Sequence, residues 1–448
     1  MRVIVVFVFL LVCGDVWPAE AQVSESERYW GQWRGPQSTG VAPFGDPPLQ
    51  WDESQNIAWK VAVPGRGLAS PIVWGDRVFV LSAVSFGEPV GVGDGGSSST
   101  GRRGRRSRGS AMVQRQRFIV LAFHRETGEL VWQRVAREAL PHEGYQQPNG
   151  SYASGSAVTD GERVFAFFGS WGLYAFDFDG ELEWQVDLGT RHMRNAFGEG
   201  TTPALYHDTL VVTWDHLGGQ SFVVAFDTRT GEERWRANRE EIDTWATPLV
   251  VEHAGRAQVI TPAMEQVYSY DLETGDVVWR SRGTTMNAIP SPVHADGMVF
   301  VMSGYRGNNL QAIRLADAHG DIAESGAIAW QLDRDTPYVP SPLLYENALY
   351  VIKSNDGILS VYDPRTGMPH YQRQRLRGIP NVFASPVGAA GRVYITGREG
   401  TTLVIRHGAR YELLASNDLD DEFDASPAIV GDELFLRGHR YLYKIARP

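Results

Sequence analysis

One short pattern is written eight times along this chain, and few folds can absorb such a repetition. Each unit opens with Ser or Thr, nearly always followed by Pro: Ser70-Pro71, Ser156-Ala157, Thr202-Pro203, Thr247-Pro248, Ser291-Pro292, Ser341-Pro342, Ser385-Pro386 and Ser426-Pro427. From the second opening onward the spacings are 46, 45, 44, 50, 44 and 41 residues, the period of a repeat that builds one propeller blade. The first spacing is 86, so the first unit carries an insertion. Residues 247–280 show the unit most cleanly, as the runs LVV, QVITPA, QVYSYD and LETGDVVW. Short β-rich runs separated by Gly, Asp and Thr-Gly turns, with no helical period, read as four strands.

Each unit closes on a large residue. Trp132, Trp184, Trp235, Trp279 and Trp330 hold that position, followed by Tyr371 and then Leu414. The eighth unit stops at Tyr443-Lys444-Ile445, one strand short, while residues 57–63 (IAWKVAV) carry Trp59 in the closing position with no strands before it. The two fragments complete one another. A ring fastened in this way leaves no unpaired sheet edge. The expected fold is all-β: an eight-bladed β-propeller of four-stranded antiparallel blades over 57–448, closed by the N-terminal strand 57–63. Trp59, Trp132, Trp184, Trp235, Trp279 and Trp330 are then docking residues that cover the seams between blades.

The flanking segments are of other kinds. Arg2, the apolar run Val3 to Val12 and Ala19-Glu20-Ala21 form the pattern of an export signal over 1–21, and the apolar run is too short to span a membrane. Val12 is bulky where a lipoprotein signal at Cys13 needs a small residue. Cleavage near Ala21 removes the one cysteine and leaves 41 basic against 51 acidic residues. Disulfides and thiol chemistry are excluded for the mature chain, and its acidic balance excludes a nucleic-acid footprint. The expected setting is periplasmic or extracellular, and the expected state a monomer. Residues 22–56, rich in Trp, Gly and Pro, are expected to pack irregularly on the outside of the ring or over one mouth. Residues 85–116, dominated by Gly, Ser and Arg, are expected to be disordered.

Alternating strand direction sorts the loops. The generic turns fall on one face; the blade-to-blade connections and second-to-third-strand loops fall on the other, which becomes the candidate site. The residues just before each inner strand should lie nearest the axis: Arg66, Tyr152, Glu199, Trp245, Asn287, Tyr338, Phe383 and Asp424. Asp215, His216, Arg306, Asn355, Arg437 and His439 come from loops on the same face. Such a mixture suits a small polar ligand or a peptide segment. It equally suits polar groups that satisfy one another and pore water.

Local catalytic and metal patterns fail on context. His142-Glu143 lacks a second His at zincin spacing. Asp215-His216 has no nucleophile context. Asp177-x-Asp179-Gly180 is the ordinary third hairpin turn, the acids between Asp418 and Asp424 read as a solvated loop rather than a calcium site, and Gly91-x-Gly93-x-x-Gly96 has no helix after it. No catalytic residue and no metal ligand is assigned.

The signature A-F-D-x-x-T-G-x-x-x-W, with a preceding S-P-x-V strand, resembles the PQQ-type propeller repeat of quinoprotein alcohol dehydrogenases and of BamB-like proteins. Trp30-Gly31-Gln32-Trp33-Arg34-Gly35-Pro36 is similar to the opening of secreted PQQ-binding-like repeat proteins. The resemblance implies the fold and two functions. One is a non-catalytic exported binding or scaffold protein, partnered by an envelope protein or a small polar ligand. The other is an oxidoreductase using PQQ with calcium, although the mature chain lacks the vicinal cysteine pair of those dehydrogenases.

Overall fold

The computed structural model describes residues 25–92 and 111–448. The expected export signal, Cys13 and the arginine-rich stretch of the insertion lie outside the described residues. Eight sheets form the ring, seven of them in chain order from axis to rim. In the eighth, strand Ile57–Ala62 takes the rim position beside Tyr441–Ile445, antiparallel, with Trp59 opposite Lys444. The ring is closed by the N-terminal strand.

Blade 3 shows why the strands read as they do. Thr209–Trp214 and Ser221–Asp227 are covered on both faces by neighbouring blades, so almost every residue in them is buried. Apolar runs such as LVV and FVVAF follow from that double burial. The rim strand Glu233–Arg239 has a neighbour on one face only, and its burial alternates around Trp235.

The closing tryptophans dock as expected, and the Thr-Gly turns explain how. The indole N–H groups of Trp59, Trp132, Trp184, Trp235 and Trp330 donate to the carbonyls of Arg125, Phe178, Thr228, Leu272 and Pro364 at 2.7–2.9 Å, each on the following blade. The ring then lies flat on the turn glycine of that blade. At Gly231 a Cβ would sit 2.6 Å from the Trp184 ring, and φ there is +70°. Both constraints demand glycine. Truncating such a docked indole costs about 3–5 kcal/mol. Trp279 departs from the pattern: its N–H donates to Gln258 Oε1 within its own blade (3.1 Å). The turn it would have docked on is replaced by residues 315–327, of which Gly320–Asp321 add a parallel fifth strand beside Trp279 and Arg280.

The Ser/Thr openings have a purpose the repeat alone does not reveal. The amide of each opening residue donates to the hydroxyl of the next: Ser70 to Ser156, Ser156 to Thr202, Thr247 to Ser291, then Ser341, Ser385, Ser426 and back to Ser70, at 2.8–2.9 Å. Among the described residues only the Thr202–Thr247 link is missing from this belt.

Two segments differ from a plain propeller. The disorder expected over 85–116 is corrected at both ends, because strands Arg77–Val92 and Ala111–His124 extend into it as one long hairpin. The alternation of apolar and polar residues in SFGEPVGV and AMVQRQR favours a ribbon despite its Gly and Arg. Arg117 over the Phe86 ring (4.4 Å) and Gln116 bonded to Ser85 (2.9 Å) pin it. Residues 29–46, for their part, lie across the mouth where the generic turns cluster. Trp30 pairs with Val73, Gly31 accepts from Thr159, Val41 pairs with Gly388 and the Asp46 amide donates to Gly431. Arg34 is wholly buried there and donates to the carbonyls of Pro386 (2.8 Å), Pro342 (2.5 Å) and Thr39 (3.2 Å). Burial with no carboxylate beside it pulls its pKa down to about 9, so it remains charged at neutral pH.

Candidate functional site

With one mouth covered, the opposite end of the axis holds a cavity of about 250 Å³. Its walls begin at the Ser/Thr belt and rise through the blade connections, and Trp33 reaches it from the plug side. Trp33 also lines a second space of about 500 Å³ at the turn-bearing mouth, so it borders both.

Of the eight residues expected nearest the axis, Glu199, Trp245, Asn287, Tyr338, Phe383 and Asp424 line the cavity, and Asn355 joins them. Arg66 and Tyr152 do not. The long connection from blade 1 to blade 2 folds inward in front of them and presents Gln146, Asn149, Gly150 and Ser154 instead. Arg66 holds that connection from behind, donating to the carbonyls of Gly150 (3.0 Å) and Pro148. The Tyr152 hydroxyl donates to the Glu143 carbonyl (3.1 Å) and its ring packs edge-on against Tyr145 and Trp171.

The remaining candidates lie away from the cavity. Asp215 is fully buried and bound by both ends of its carboxylate to Arg239 (2.7 and 2.6 Å). Arg437 is buried with its Nη1 on the Leu81 carbonyl. Arg306 is exposed and stacks on Tyr305, whose ring in turn stacks on Tyr338 at 4.8 Å. His216 sits beside His192, with ring centroids 5.9 Å apart. His439 stands behind Asp424 as its partner. Sequence reasoning missed Trp33, Gln146, Asn149 and Ser154; the first lies in a segment that obeys no repeat, and the others lie where a connection is longer than its counterparts.

The electrostatics of the cavity are those of closed pairs. Glu199 is met by the buried Arg191 guanidinium (2.5 Å) and by the Ser170 amide. Asp424 is gripped by Arg398 (2.7 Å) and His439 (3.0 Å). Burial pushes the Asp424 carboxyl up, but His439 and Arg398 outweigh it and hold it below the usual range. Arg398 lies over the Phe383 ring at 3.5 Å. Trp245 donates to the Gly198 carbonyl (2.7 Å). Asn287 Nδ2 approaches the Tyr338 hydroxyl (3.5 Å), while Asn287 Oδ1 is buried with no hydrogen-bond partner. Burial raises the Tyr338 pKa, so the phenol stays protonated.

The family model described as outer membrane protein assembly factor BamB matches residues 49–199, 116–241 and 219–446, which together take in the whole ring. The chain belongs to this BamB family. No curated protein sequence matches it. Its fold is that of BamB from Moraxella catarrhalis (14% identity, TM-score 0.51, covering 81% of this chain and 98% of that one). It is equally that of the quinohemoprotein alcohol dehydrogenase from Comamonas testosteroni (11%, 0.60, 94% and 80%) and of a europium-containing methanol dehydrogenase (10%, 0.61, 94% and 98%). At these identities the likeness is one of fold. Whether this BamB-family cavity suits calcium and PQQ is decided by its donors. Calcium takes six to eight oxygens, several of them from carboxylates. Both carboxylates lining the cavity are already neutralised by cations, whereas the fully buried Asp243 nearby has only an ion-pair contact with Arg194 (3.3 Å), and neither of its oxygens has a hydrogen-bond partner. With Asn287 Oδ1, three buried oxygens at these two residues have no hydrogen-bond partner, fewer than the six to eight that calcium takes.

Proposed function

We propose that this BamB-family protein is a non-catalytic binding module of the cell envelope that receives a segment of a partner protein in its axial cavity. The observation that carries this reading is the pairing of Glu199 with Arg191 and of Asp424 with Arg398 and His439. Acids held this way are poor general bases and poor metal ligands. They make good rigid walls, and they leave Trp33, Trp245, Phe383, Tyr338 and the amides of Asn149, Asn287 and Asn355 as the recognition surface. Aromatic rings with convergent neutral donors and acceptors suit an uncharged polar or aromatic side chain. The Arg2-to-Ala21 segment supports export. No helix among the described residues is long and apolar enough to cross a membrane.

The test is site-specific photo-crosslinking in cells. A photoreactive residue at Asn355, in the cavity, is expected to capture a discrete partner, and one at His207, on the plugged face, is expected not to. Trp245→Ala should weaken the Asn355 adduct about tenfold or more, as loss of a buried aromatic anchor does. Equal capture from both faces, or none from Asn355, sinks the proposal. A calcium-dependent rise in melting temperature on adding PQQ would transfer the function to the oxidoreductase reading.

A further inference from the structure

Two loops frame one side of the cavity, and each supplies four of its lining residues: 141–154 from blade 1 and 190–200 from blade 2. Behind that wall, outside the cavity, they bring together three side chains that the linear sequence keeps apart. His142 and Glu143 come from the first loop and His192 from the second. One ligating atom from each lies within 4.8 Å of the other two, and all three residues are half-buried. Glu143 Oε2 is 3.2 Å from His192 Nδ1, and Glu143 Oε1 accepts from the Met193 amide (3.1 Å). The two imidazoles meet edge-on with centroids 5.1 Å apart.

The spacing of this group is within reach of that of metal ligands. Zinc bonds to imidazole nitrogen and carboxylate oxygen are about 2.0–2.1 Å, so two tetrahedral ligands stand about 3.4 Å apart. The Glu143–His192 edge already has that length. The widest edge, at most 4.8 Å, must shorten by up to about 1.4 Å, which a turn of half-buried rings supplies. His142 Nε2 lies 2.8 Å from the Arg191 carbonyl. A carbonyl only accepts, so Nε2 carries the hydrogen and Nδ1 carries the lone pair. A backbone carbonyl fixing the tautomer of a ligating histidine is the usual support of such sites. Three protein ligands leave a further position for water, with the His216 ring next to His192.

We propose that His142, Glu143 and His192 bind one divalent transition-metal ion of the zinc class, which clasps the two loops together. Held so, the loops would keep the cavity wall in place. Arg191 immediately precedes His192 and Glu199 lies farther along the same loop, so the clasp and the wall share one piece of backbone.

The experiment is isothermal titration of the chelator-stripped full protein with zinc chloride, paired with visible spectroscopy of the cobalt(II) form and hydrogen exchange of both loops. One equivalent of zinc is expected to bind saturably, to raise amide protection in 141–154 and 190–200, and to displace cobalt with loss of its visible bands. His142→Ala/His192→Ala should weaken binding by at least about 100-fold. Glu143→Gln, which keeps an acceptor for the Met193 amide, should weaken it about tenfold or more while melting like the metal-free parent. Absence of saturable binding at one equivalent overturns the proposal. So does full binding by both variants, or zinc binding that leaves the exchange of both loops unchanged.

Discussion

The two mouths of the ring are finished in opposite ways. At the turn-bearing mouth the chain lies across the axis itself, backbone to backbone, and Arg34 satisfies three carbonyls from three separate places. At the connection-bearing mouth side chains are paired around an opening, and at least one buried acceptor, Asn287 Oδ1, has no partner. The covered mouth keeps loose ends of its own: Trp30 Nε1, Arg34 Nε and Thr39 Oγ1 are buried there without partners, beside a space of about 500 Å³. The recognition surface proposed above lies at the other mouth, where side chains converge on the axial cavity.

The comparison can be broken most forcefully at Arg34. Its replacement by Ala leaves the buried carbonyls of Pro342 and Pro386 without donors and Thr39 with the Leu344 amide alone, and a loss of about 3–5 kcal/mol in stability is expected from denaturant unfolding. Arg34→Lys should recover less than half of that, because one ammonium cannot reach all three carbonyls from a single point. A change below about 0.5 kcal/mol would mean that the plug is not bound through Arg34.

Next in size is Glu241, in the connection leaving blade 3. Burial raises its pKa to about 7, with Arg239 opposing and Asp215 adding to the rise. The folded state therefore holds this proton to higher pH than the unfolded chain does. Stability falls as pH rises from about 4 to 7, and the full penalty remains above 7. Glu241→Gln should be neutral near pH 4 and stabilising by about 2–3 kcal/mol at pH 8; an equal effect at both values would refute the assignment. Such a gain would place unrelieved destabilisation at the open mouth.

The smallest expected effect is at Asp424. Asp424→Asn strips Arg398 and His439 of their shared anion and should cost about 1–3 kcal/mol at pH 7. Because the folded pKa lies below the unfolded value, the parent's advantage is present above the usual aspartate range. It fades as pH falls through the folded value. Melting curves between pH 3 and 7 would show the two proteins converging at the acid end.

The same division explains what could be read in the sequence. The blades were legible because one physical problem, docking a rim indole on the next glycine turn, is solved repeatedly, from Trp59 to Trp330. The ring of residues before each inner strand was legible for the same reason, which is why Glu199, Trp245, Asn287, Tyr338, Phe383 and Asp424 could be named together. The exceptions are places where the chain stops repeating. Arg66 and Tyr152 were displaced by a longer connection. Trp33 lies in a segment with no period. His192 stands 49–50 residues from Glu143 and His142, a separation that only the fold closes. Trp279 lost its dock because blade 5 has an enlarged turn.

The rim strand Ile57–Ala62 belongs to the last blade but is made before any of the other blade strands. Its partner, Tyr441–Ile445, is made after all of them. Throughout synthesis this strand, with Trp59, has neither its sheet nor a finished seam, and its burial waits on contacts almost 400 residues away. Long-range closure of this kind is slow and exposes sheet edges until it is done. Ring closure is thus the propeller's most vulnerable step, when its first-made and last-made strands must find each other before anything else pairs with either.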